Sequence, residues 1–212
     1  PLYSIFDVFD QRKASADKAY PIRGLGHKAE YPYPVPAFQV SAPAEEYRKM
    51  EKILGDSFGK KSPAEMTVAE LLQVLSAAAS YIPSSTNTAE IPDVSLYDHV
   101  KLTAAFAVCM WQYFQAHQIN DYRKECFEKE SSRVRNQPMY LLVSGDLSGI
   151  QKFIYTIPSK GALKSLRGRS LYLELLVENI VDEILDACQV SRSCLLYTGG
   201  GHFYMMLPNT DG

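Results

Sequence analysis

The chain has 212 residues, enough for one large domain or two small ones. Hydrophobic residues make up 46% and charged residues 22%, as in ordinary globular proteins, and the formal net charge is −2. No overall field therefore draws the chain to nucleic acid or to an acidic membrane surface, and any anion site must be local.

No apolar run reaches the roughly 20 residues needed to span a bilayer. Cys109, Cys126, Cys188 and Cys194 form no C-x-x-C pair, so their spacing gives no zinc or redox motif. Free thiols acting as small hydrophobes fit better, which points to a reducing, cytoplasmic compartment. Residues 2–9 lack the charged start of a signal peptide. The abrupt start at Pro1 and the stop at Gly212, just after a strand-like run, predict a fragment of a longer protein.

Residues 1–43 read as an extended linker. Leu2, Ile5, Phe6, Val8 and Phe9 suit a buried strand, and the alternating prolines of YPYPVP at 31–36 suit an edge strand or a polyproline-like connector. Residues 44–136 read as a helical segment. A first helix over 44–54 is closed by Gly55. Thr67 and Glu70 form a capping box for a helix to about Tyr81, and Ser95 and Asp98 form another. The second box opens a long helix with an apolar stripe through Val100, Ala104, Ala107, Trp111 and Phe114, and the Tyr97, Trp111, Tyr113 and Phe114 group is expected in the core. Residues 121–134 read as a solvated helix or loop.

Residues 137–212 change character. A strand over 139–143 is followed by a turn, SGDLSG at 144–149, and then by a small, basic loop at 158–166. A strong helix is expected over 168–188. The segment YTGGGHF at 197–203 reads as a glycine hairpin between two strands. The order β, helix, β, β gives an α+β fold class: an incomplete ferredoxin-like (βαββ) palm, lacking its closing helix and strand.

This topology brings the first strand's end beside the hairpin. Carboxylates at both places would hold two divalent cations for phosphoryl transfer. Only Asp146 is acidic here, and the hairpin offers Gly201 and His202, so two-metal catalysis from this half is not expected and no residue is assigned to a metal. Nucleotide binding remains open. Ser148 and Gly149 suit a phosphate nest, and Gly199, Gly200 and Gly201 allow close backbone approach. Lys160, Lys164, Arg167 and Arg169, at the start of the long helix, are possible phosphate contacts. The opposing reading is purely architectural: the glycines make a turn and the bases are solvated. His27 and His117 have no partners at ligand spacing. Tyr140 and Tyr204 are the aromatic candidates for a base-binding sheet face.

YIPSSTNTAEIPDVSLYDHVKLTAAFA at 81–107, GDLSGIQKFIY at 145–155, GALKSLRGRSLYLELL at 161–176 and LLYTGGGHFYMMLPN at 195–209 occur in this order. Together they resemble the linker and first palm of the large subunit of type III-A CRISPR effector complexes, the Csm-type cyclic oligoadenylate synthase and single-strand-specific DNase. The resemblance implies a second palm that faces the first and carries a Gly-Gly-Asp-Asp hairpin. It implies ATP as substrate with Mg or Mn, and an HD nuclease domain before the linker. It also implies neighbouring subunits of the effector complex, CRISPR RNA and target RNA as partners, and no membrane. Asp146, Ser148, Gly149, Gly199, Gly200, Gly201 and His202 would then line the ATP site from its non-catalytic side. Neither a His-Asp dipeptide nor Gly-Gly-Asp-Asp occurs in this chain, so the chain alone is expected to be inactive. The rival expectation is a structural adaptor that docks RNA and neighbouring subunits.

Overall fold

The structure is a computed structural model and describes residues 1–9, 17–24, 32–41, 44–59, 61–87, 89–128, 131–156 and 162–210. Lys160, His27 and Tyr31 lie outside the described residues. The chain divides into two compact units, Pro1–Lys101 and Leu102–Gly212.

In the first unit, β1 (Leu2–Tyr3), β2 (Lys18–Tyr20) and β3 (Val35–Pro36) form an antiparallel sheet in that order. Pro36 sits on an edge strand, where its missing donor costs no ladder bond. The expected strand over 2–9 stops at Tyr3. A short helix, α1 (Ile5–Val8), follows it, and Phe6 and Phe9 are exposed rather than buried. Helix α2 (Ala44–Phe58) runs through Gly55 instead of ending there. Gly55 has nothing within 4 Å of a Cβ position, so the helix tolerates it at about 1 kcal/mol.

Helix α3 (Val68–Ala79) begins at the expected capping box: Glu70 N donates to Thr67 Oγ1 at 3.2 Å, and Thr67 N donates to Glu70 Oε2 at 2.7 Å. A hydrogen bond from Lys61, reinforced by Thr67, pulls the Glu70 carboxyl down to about 2. Ser95 Oγ likewise accepts from Asp98 N at 3.0 Å and opens α4 (Leu96–Ala116).

In the second unit, the buried positions of α4 are Ala105, Cys109, Tyr113 and Phe114, whereas Trp111 is 54% exposed. Of the expected stripe only Phe114 is buried: Val100, Ala104, Ala107 and Trp111 are exposed, because the buried stripe of α4 passes through their neighbours on the helix. Two short helices, α5 (Tyr122–Phe127) and α6 (Ser131–Arg135), occupy the charged stretch.

Strand β4 (Tyr140–Asp146) extends through residues expected in a turn, which narrows to 147–149. After it come α7 (Ile150–Tyr155), α8 (Ala162–Ala187), β5 (Leu195–Gly199) and β6 (His202–Pro208). Helix α8 starts six residues before the expected Gly168. The ALKSL stretch that read as loop consists of helix formers, and Gly168 meets no neighbour that would break the run. The sheet is antiparallel in the order β4-β6-β5, so the expected β, helix, β, β order is observed.

The core of this unit joins Val177, Val181 and Leu185 of α8 to Phe203 and Met205 of β6 and to Ala105 and Cys109 of α4. Cys109 and Cys194 are fully buried free thiols, as small hydrophobes should be. A hydrogen bond to Cys194, together with burial, pushes the Cys109 thiol well above its ordinary range.

Candidate nucleotide site

The register of β4 on β6 pairs Asp146 with His202 and Gly145 with Phe203. Strand end and hairpin therefore meet, and Leu147 N donates to Gly201 O at 3.0 Å to stitch the turn to the hairpin tip. His202 Nε2 lies 3.1 Å from Asp146 Oδ1, and both side chains are more than half exposed. His202 Nδ1 lies 3.3 Å from Gly200 O. Gly149, Gly200 and Gly201 take positive φ of 79°, 61° and 88°, so these glycines are required by the backbone itself. Ser148 and Gly149 are exposed in the turn beside the pair.

A cleft of about 310 Å³ opens on the helix side of the hairpin. Ile150, Ile154, Leu173 and Val177 form its apolar walls, Glu174 and Glu178 add carboxylates, and Thr198, Gly199, Gly200 and Gly201 form its rim. Glu178 is held by Arg192, which also bonds Asp182 at 2.6 Å.

The basic residues separate. Lys164 and Arg167 are exposed in the first turns of α8. Arg169 is turned onto α7, where Nη1 donates to the carbonyls of Phe153 and Thr156, the latter at 2.9 Å. Its guanidinium also stacks 5.1 Å from the Phe153 ring. Arg169 thus satisfies carbonyls at the end of α7, a task no sequence spacing announced.

The metals implied by the resemblance meet a thin donor set. No group of three or more His, Cys, Asp or Glu gathers among the described residues. One carboxylate and one imidazole fall short of the octahedral oxygen set that Mg²⁺ takes, and no step is assigned to a metal on this chain.

The base-binding face differs from expectation. Tyr140 is half-buried, edge-on to Phe106 at 5.0 Å. Tyr197, which the sequence reading passed over, pairs with Tyr204 across β5 and β6. A period-two reading of β5 with its irregularity near Leu196 is what hides this alignment.

A β-α-β-β sheet in the order β4-β6-β5, with a glycine hairpin closed on an aspartate at the strand end, defines a palm-type domain. The family described as Csm1 subunit domain B matches residues 139–212. A single-strand-specific deoxyribonuclease of a CRISPR system, Cas10/Csm1 of subtype III-A from Mycobacterium tuberculosis, is 42% identical over 214 residues, covering 100% of this chain and 26% of that protein. Among solved structures, a Csm1–Csm4 cassette in complex with one ATP superposes with a TM-score of 0.76 at 32% identity, over 99% of this chain and 25% of that one. The cassette in complex with pppApA gives 0.76 and 32%, over 100% and 26%. The chain belongs to the Csm1 family, the large subunits of type III-A CRISPR effectors. It spans about a quarter of the length of the relatives it matches. No helix among the described residues is long and apolar enough to cross a membrane.

Proposed function

We propose that this chain supplies the non-catalytic palm wall of an ATP site in a protein that makes cyclic oligoadenylates when target RNA is recognised, and that degrades single-stranded DNA through a separate HD domain. The observation that carries the reading is the seam between Asp146 and the hairpin, with an apolar cleft behind it. Backbone without a side chain at Gly200, with open space around it, permits close approach of a polyphosphate, and the cleft suits the apolar faces of a nucleobase. Lys164 and Arg167 remain available for phosphate, whereas Arg169 is engaged with α7. Solved relatives in complex with ATP support the ligand class. With no Gly-Gly-Asp-Asp in this sequence, the metal-dependent chemistry is assigned to a second palm, with Mg or Mn bound there.

Gly200→Asp in the full-length protein tests the reading. Gly200 has φ +61° and open space at its Cβ position, and Asp tolerates this conformation, so the change mainly adds negative charge. ATP affinity should fall about fivefold to tenfold, the scale of one added like charge near water. Unchanged affinity and product yield in calorimetry and turnover assays would refute it. A second reading, docking of another effector subunit, is favoured by exposed Leu171, Tyr172 and Leu175 on α8. It expects that variant to leave ATP binding intact.

A further inference from the structure

The sheet face that carries Asp146 and His202 continues into an aromatic surface that the ATP wall leaves unused. Register places Tyr204 two residues beyond His202 on β6, opposite Ser144 on β4 and Tyr197 on β5. Tyr204 is 44% exposed, Tyr197 55% and Leu142, on the same face, 71%. The two rings lie 6.3 Å apart at 49°. Gly199 fixes where Tyr197 points: a Cβ there would stand 2.7 Å from the Tyr197 hydroxyl. The missing side chain lets that ring lie along β5 toward the hairpin, beside the Gly199–His202 pair. The first glycine of the run therefore serves the tyrosine rather than the turn, since the positive φ values belong to Gly200 and Gly201.

The cleft and the tyrosines lie on opposite faces of the sheet. Thr198, which rims the cleft, pairs with buried Phe203, whereas Tyr197 pairs with exposed Tyr204. One mononucleotide cannot place its single base on both. Two base-accepting surfaces around one hairpin call for a ligand with more than one base. Among the described residues this face of the three strands carries no Lys or Arg, and Leu142, Ser144, Asp146, His202, Tyr204 and Tyr197 form its exposed part, so its contribution is stacking rather than charge. Aromatic rings on a sheet stack single-stranded bases without regard to sequence.

We propose that Tyr197 and Tyr204 form a stacking platform for a base of a single-stranded oligoadenylate that extends past the hairpin. The proposal rests on the ATP-wall reading above. It adds a second base site, specific to products longer than one nucleotide.

The test is titration of the full-length protein in its effector complex with pppApA and, separately, with AMPPNP. The paired change Tyr197→Ala and Tyr204→Ala should weaken pppApA about tenfold, the loss expected for one stacked base, and AMPPNP at least about fivefold less than that. The paired change to Phe should bind pppApA like wild type, because the ring does the stacking; it also controls for packing. Unchanged pppApA affinity in the Ala pair overturns the platform, as does an equal loss for both ligands or a loss in the Phe pair. Loss of a protein subunit with pppApA binding intact makes the face a protein interface and overturns it too. Gly200→Asp in the same titration keeps the two readings apart: if it spares AMPPNP binding, the ATP wall falls on its own evidence, whatever the tyrosines do.

Discussion

At the scale of single residues, the three hairpin glycines do three different jobs. Gly201 has φ +88°, and a Cβ there would stand 2.0 Å from Ile150 Cδ1, so its nakedness admits the side chain that starts α7. Gly200 has φ +61° with nothing within 4 Å, so only its backbone conformation is demanding. Gly200→Ala should cost about 1–2 kcal/mol, the left-handed backbone cost alone, and Gly201→Ala about 2–4 kcal/mol, since overpacking adds to it. Thermal unfolding of the two variants checks the order, and Ile150→Ala should relieve part of the larger loss. The sequence showed that these glycines mattered and that they formed a hairpin. It could not divide their roles, because each depends on what a distant side chain places at the missing Cβ.

At the scale of elements, neighbouring residues define the structure where the chemistry is local. The Thr67 and Ser95 caps form as expected because each needs only residues three apart. Helix ends without such caps differ from the expected ones. Helix α2 passes Gly55 and α8 begins at Ala162, since one exposed glycine is a weak stop against the helix formers around it. The fate of Arg169 was equally hidden. It lies 13 residues from Thr156, and only the packing of α7 on α8 brings them together. Arg169→Ala should leave the carbonyls at the end of α7 uncapped and cost about 1–3 kcal/mol, as for hydrogen bonds from a charged donor. Faster amide exchange across 150–156 with little change in β6 would mark the loss as local; an unchanged exchange pattern would show that the guanidinium is dispensable.

At the scale of the whole molecule, the larger core of the second unit includes Met205 of β6. This residue is fully buried between β4 and β5 on the face that meets α8. Met205→Ala should cost about 2–5 kcal/mol. Trp111→Ala, at a residue 54% exposed, should stay within about 0.5 kcal/mol. Denaturant unfolding of both would reverse the ranking that the sequence alone suggests, in which the chain's one tryptophan sits in the core.

The sequence by itself determined the β, helix, β, β order, the two capping boxes, the glycine hairpin and the family resemblance. All of these are written in short stretches of neighbouring residues, where hydrogen-bond reach and backbone preference act locally. Only the tertiary structure decided that Asp146 lies 3.1 Å from His202, that Arg169 caps α7, and that Tyr197 joins Tyr204 on the open face. Those facts depend on strand register and helix packing. A shift of one residue in β5 would turn Tyr197 to the other face, and no local preference fixes that register.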